Sequence, residues 1–154
     1  MALDDGSRLP KVYLLCYTIG MNTWKSKNRK KYLLQYHIIF VCKYRKKLFM
    51  SKQISDDIKQ FSHKICQKHK VIIRYMETDK DHIHYMIEAE PTRSVSKIVN
   101  LIKSYTTYYI WKKYPNNLQK QFWREQTFWT DGYFACSVGN VSEEMLRKYI
   151  ENQG

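Results

Sequence analysis

The twenty residues 71–90, VIIRYMETDKDHIHYMIEAE, read as two strands around a tight turn. Residues 71–77 are rich in β-branched side chains, Thr78–Asp81 supply turn chemistry, and 82–90 alternate strictly. In the second strand Ile83, Tyr85, Ile87 and Ala89 share a face suited to packing under helices. His82, His84, Met86, Glu88 and Glu90 share the opposite face. The two histidines therefore fall on the polar side, expected to be accessible, with Cα atoms about 6.6 Å apart, two strand steps of about 3.3 Å. Imidazoles so spaced can converge on one metal ion, although a bare H-x-H is also common as a pair of surface histidines. His37, His63 and His69 have no such partner in the local sequence and read as ordinary core or surface residues.

Outward from this hairpin, the periodicity changes at each break. Upstream, 33–42 (LLQYHIIFVC) reads as a central strand with Leu34, Tyr36, Ile38, Phe40 and Cys42 on one face. Between the two, 52–70 place Ile54, Ile58, Phe61 and Ile65 on a helical stripe behind Ser51, a good N-cap. Downstream, 94–114 form a second helix with Val95, Ile98, Val99, Ile102, Tyr105 and Tyr109 on one side, stopped by Pro115. Residues 127–138 hold at least one strand near Asp131–Gly132, and a last helix spans 142–152 after Gly139–Asn140. The order β-α-β-β-α-β-α predicts an α+β, ferredoxin-like or RRM-like split βαβ sandwich: an antiparallel sheet with helices on one face.

The chain has 154 residues, enough for one domain, and 27 Lys/Arg against 14 Asp/Glu give a net charge of +13. That excess points to a polyanion, either nucleic acid or an anionic membrane surface. It is unevenly placed. Residues 1–20 carry Asp4, Asp5, Arg8 and Lys11 and sum to zero, whereas Asn22 to Lys52 hold ten Lys/Arg and no acid. Trp24, Tyr32, Tyr36, Tyr44 and Phe49 interleave with those cations, which favours a nucleic-acid track over a merely solvated basic face. Its strongest candidates are Lys27, Arg29, Lys30, Lys31, Lys43, Arg45, Lys46 and Lys47. Residues 1–21 read as a flexible extension, and 22–154 as a single domain.

Several classes are excluded. No G-x-x-x-x-G-K-[ST] run exists, hence no P-loop motor. No apolar run approaches the roughly 18 residues of a membrane span. Residues 12–20 are apolar but follow Asp4 and Asp5, the wrong charge for a signal peptide. Cys16, Cys42, Cys66 and Cys136 show no C-x-x-C pairing and read as reduced thiols of a cytoplasmic protein.

In the last helix Ser142 is a plausible N-cap, and Glu143 and Glu144 complement the helix dipole. Tyr149 and Gln153 stand at i and i+4, neighbours on one face. Spacing alone does not single out Tyr149 among 13 tyrosines; taken in isolation, a helix tyrosine packed with Met145, Leu146 and Ile150 is the better reading.

Together QYHIIFVCKYRKKLF (35–49), TDKDHIHYMIEAEP (78–91) and KYIENQ (148–153) resemble the TnpA-type single-tyrosine HUH transposases of small bacterial insertion sequences. The resemblance implies His82 and His84 as metal ligands, Gln153 as the third, and Tyr149 as nucleophile. It also implies Mg²⁺ or Mn²⁺ as cofactor, single-stranded DNA with hairpin ends as substrate, and a 5′-phosphotyrosine intermediate. A homodimer with shared active sites, acting at the nucleoid, completes the expectation. Imidazole suits Mn²⁺ better than the harder Mg²⁺, so manganese is expected to support more activity. Two alternatives stand beside it. One is a REP-associated tyrosine transposase acting on repetitive genomic hairpins. The other is a non-catalytic RRM-like binder, faintly suggested by DGYFACSV (131–138).

Overall fold

The computed structural model describes residues 25–137, 148 and 150–152. A hairpin comes first, formed by β1 (Lys25–Lys27) and β2 (Lys30–Tyr32). Its two turn residues, Asn28 and Arg29, have φ of 51° and 64°, the left-handed pair that matches the twist of a two-residue hairpin turn. The main sheet comprises β3 (Gln35–Val41), β4 (Ile72–Asp79), β5 (His82–Glu88) and β6 (Phe134–Ser137), ordered β4-β5-β3-β6 with every pairing antiparallel. Helices α1 (Lys52–Lys68), α2 (Val95–Lys113) and α3 (Pro115–Phe122) supply the crossovers. This is the split βαβ arrangement that the sequence predicts.

The helices form where the periodicity places them. Ser51 Oγ accepts from the Ile54 amide at the start of α1, and Ser94 Oγ from the Lys97 amide at the start of α2. One continuous core joins Ile54, Ile58 and Ile65 of α1 and Ile98, Ile102 and Ile110 of α2 to Ile38 and Phe40 of β3 and Ile83, Tyr85 and Ile87 of β5. Full burial of each such side chain contributes about 1.5–3 kcal/mol relative to exposure, so this face of β5 is strongly committed to the core. Tyr85 brings its hydroxyl inside, and Ser62 Oγ meets it at 2.9 Å.

Three local expectations need revision. The β1–β2 hairpin lies where only a basic track was foreseen, because its strands of three residues are too short to show a period. Pro115 does end α2, but it also occupies the first turn of α3, where its missing N–H costs nothing. Strand β4 continues through Asp79, which shrinks the turn to Lys80–Asp81, and β5 stops at Glu88. Cys42, Cys66 and Cys136 are free thiols. Among the described residues no helix is long and apolar enough to cross a membrane. The proposed extension 1–21, most of the last helix, and the site candidates Tyr149 and Gln153 lie outside the described residues; residues 148, 150 and 151 are helical.

Candidate active site

The site is built on the sheet face away from the core. Strand β5 lies between β3 and β4, so His84 stands opposite Ile39 and Glu77, and His82 opposite Val41 and Asp79. The two imidazoles come together, with ring centroids 4.9 Å apart and planes inclined at 67°. His82 Nδ1 lies 2.8 Å from Asp81 Oδ1, while Arg45 Nε donates to Asp81 Oδ2 at 3.0 Å. Burial raises the Asp81 carboxyl, but the bonds from His82 and Arg45 outweigh it and hold the group below the usual carboxylate range. An ionised carboxylate can only accept, so His82 donates through Nδ1, and Nε2 is the ring nitrogen left out of this bond.

A third histidine joins them, contrary to its reading as an ordinary residue. His37 Nε2 lies 3.1 Å from His84 Nδ1, and the two rings stack at 5.3 Å with planes 23° apart. His37 faces Met86 across the ladder, which makes it the diagonal neighbour of His84. Register across two strands, invisible in a linear string, creates the contact. Burial lowers the His37 pKa to about 4. Burial, then the nearness of two further imidazoles that would repel a charge there, His82 and His37, lowers that of His84 to about 3. Both rings are neutral at pH 7.

The expectation of an accessible histidine pair is corrected. His82 is 8% exposed, His84 5% and His37 4%. Alternation along β5 assigns the right face but says nothing of what covers it. Ile150 and Phe134 pack on Ile39 and Val41, the β3 residues opposite the two histidines, so the helical residue Ile150 lies against the sheet of its own chain.

Among the described residues no group of three or more His, Cys, Asp or Glu is placed to hold a metal ion. Glu88, on the same face, is taken up by Arg74, Lys25 and Gln35. Burial raises its carboxyl, but these three partners prevail and bring its pKa to about 2. The donor chemistry of His82 and His84 still fits two positions of a divalent-metal shell. Each ring engages Nδ1 in a hydrogen bond, so Nε2 is the atom through which either would meet an ion.

The basic track divides in two. Lys27 pairs with Glu90 at 2.8 Å, Lys43 with Asp131 at 3.4 Å, and Arg45 with Asp81. Arg29 and Lys30 are exposed at the β1–β2 turn, Lys47 is exposed and Lys46 half-buried in the connection to α1. Lys31 lies in β2, its side chain outside the described set. The interleaved aromatics divide as well. Phe49 is in the core and Tyr36 packs against it, so neither is presented for base stacking. Tyr44 is 55% exposed and Tyr32 half-buried, whereas Trp24 lies outside the described residues.

Comparison with known proteins gives one consistent picture. The sequence matches the IS200-like transposase family over residues 30–153. It is 26% identical over 122 residues to the ISDra2 transposase TnpA of Deinococcus radiodurans, covering 79% of this chain and 85% of that protein. It is 28% identical over 133 residues to the transposase for insertion sequence element IS200 of Salmonella typhimurium, covering 86% and 85%. The fold superposes on a crystal structure from Deinococcus radiodurans described as a transposase, with TM-score 0.76, 23% identity, and coverage of 84% of this chain and 97% of that one. A REP-associated tyrosine transposase bound to a REP hairpin matches with TM-score 0.52 and 13% identity, covering 82% of this chain and 69% of that one.

Proposed function

The chain belongs to the IS200-like transposase family, and from that premise we propose that it cleaves and rejoins single-stranded DNA at hairpin-marked element ends, with Tyr149 as nucleophile. The observation that carries this reading is the His82–His84 pair, two imidazoles 4.9 Å apart whose Nδ1 atoms are both engaged. With Gln153 they would hold Mg²⁺ or Mn²⁺, and the ion when bound supplies Lewis-acid polarisation of the scissile phosphate. The Tyr149 oxygen attacks phosphorus, an O–P bond to tyrosine forms, and the bond to the 3′-oxygen breaks. That oxygen leaves as a 3′-hydroxyl after taking a proton. Rejoining is the same exchange in reverse by another strand's 3′-hydroxyl, with the ester energy conserved and no nucleotide needed.

DNA would be held by Arg29, Lys30, Lys31, Lys46 and Lys47. Lys27 and Lys43 sit in surface ion pairs, a kind of contact weak enough to exchange for phosphates. Arg45 is better assigned to support of Asp81, and through it of His82.

The test is incubation with single-stranded hairpin-bearing element ends and Mn²⁺, followed by a denaturing gel. A protein–DNA adduct is expected. His82→Ala, His84→Ala or excess chelator should abolish it, while hairpin binding persists and weakens steeply with salt. Full cleavage in excess chelator would refute the metal mechanism. A REP-associated activity is the second reading, favoured by the hairpin-bound structural relative; preferential cleavage of repetitive genomic hairpins over element ends would establish it. The RRM-like binder would need no metal and form no covalent link, so a metal-dependent adduct in this gel would exclude it.

Residues 1–20 contribute none of the charge of +13. A chain beginning at Met21 is therefore expected to bind hairpins and cleave like the full chain. A folded, soluble truncation that fails to bind would assign the extension to the binding surface.

A further inference from the structure

We infer that His37 is a positioning residue that accepts a hydrogen bond from His84 Nδ1–H and so keeps the lone pair of His84 on Nε2 for a divalent ion. The inference rests on the proposed role of His84 as a ligand and extends it to a side chain outside the H-x-H pair.

The geometry leaves two arrangements. A bond between two neutral imidazoles needs one N–H and one lone pair across the 3.1 Å contact of His37 Nε2 and His84 Nδ1. If His37 donates, the single proton of His84 sits on Nε2 and that atom cannot bind metal. If His37 accepts, His84 carries its proton on Nδ1 and Nε2 is open. Only the second arrangement is compatible with ligation through Nε2.

The paired histidine makes the logic concrete. Asp81 fixes His82 by charge, since a carboxylate accepts and never donates while ionised. His37 does the corresponding work for His84 with a neutral acceptor, adding no negative charge beside a phosphodiester. Both contacts are built into the sheet. Asp81 adjoins His82 in the turn, and His37 reaches His84 diagonally from β3, its ring stacked on that of His84 at 5.3 Å. With His37 4% exposed, water is a poor substitute acceptor.

Two readouts on the metal-free protein test this, neither of them cleavage. The first is the His84 tautomer from two-bond ¹⁵N–¹H NMR, its signals identified by their loss in His84→Ala. Wild type is expected to show Nδ1 protonated and Nε2 bare, and His37→Leu to shift the proton toward Nε2. The second is Mn²⁺ affinity by electron paramagnetic resonance. His37→Leu should weaken it by about 10–100-fold, the usual cost of losing an outer partner of a metal ligand. His37→Gln, whose amide oxygen reaches the place of Nε2, should recover most of the loss, whereas the shorter His37→Asn should not.

A wild-type His84 protonated on Nε2 overturns the inference whether or not any variant folds. So does a His37→Leu protein with unchanged tautomer, or Gln and Asn variants of equal affinity. Loss of Mn²⁺ binding in His84→Ala alongside such a result leaves the proposed function standing. A His84→Ala protein that binds Mn²⁺ like wild type overturns the ligand assignment beneath it.

Discussion

Tyr149→Phe is expected to eliminate the covalent adduct and lower strand cleavage on the order of 10⁴-fold or more, the scale seen when a covalent route loses its nucleophile. Hairpin affinity should stay within about twofold, since one hydroxyl is removed and no charge or ring is lost. The contrast between the two readouts is what assigns the role: a residue that merely packs or binds DNA would move both. An adduct of normal yield in the variant rejects Tyr149. The assignment rests on the resemblance of KYIENQ (148–153) and on the helical state of its described members. The Asn152 amide donates to the Lys148 carbonyl at 3.1 Å, the i to i+4 bond of an α-helix.

The second large effect concerns which chain completes which site. The family resemblance implies a homodimer with shared active sites, in which the histidines of one subunit would meet the tyrosine of its partner. Ile150 packs on Ile39 and Val41 of its own chain, so own-sheet contact is also available to this segment, and the two arrangements make opposite predictions. A His82→Ala subunit and a Tyr149→Phe subunit are each inactive as homodimers. In their heterodimer, trans geometry collects both lesions in one site and leaves the other whole, so cleavage should return to about half the wild-type level, one site of two. With cis geometry each site carries one lesion and the heterodimer is dead. Differently tagged subunits, co-expressed and purified as the mixed species, make the measurement. A verified heterodimer without cleavage, beside an active wild-type dimer prepared identically, rejects trans sites for the cleavage step.

Residues 71–90 show why so much of the fold was readable. Strict alternation in 82–90 permits only one partition of faces, because a slip by one residue would turn Glu88 into the apolar core and Tyr85 onto the histidine face. The start of α1 was equally legible, since Ser51 acts through an amide three residues away. The β1–β2 hairpin and α3 were not, being short and without a resolvable period. Of the site, His82 and His84 were visible because both ligand candidates lie on one strand. Phe49 and Tyr36 were misread as stacking groups because an aromatic among cations looks the same whether it faces DNA or the core.

By itself, then, the amino-acid sequence determined the order of elements, the core face of each strand, the basic excess, and the family to which the chain belongs. These are local or additive properties, set by neighbours a few residues apart or by simple counts. Tertiary structure decided that the histidines are buried, that Arg45 serves Asp81, and that His37 bonds to His84 across 47 positions of chain. Each depends on the register of β3 against β5 or on which distant segment covers the sheet. Such pairings are selected by the packing of the whole domain, and no short stretch of residues encodes them.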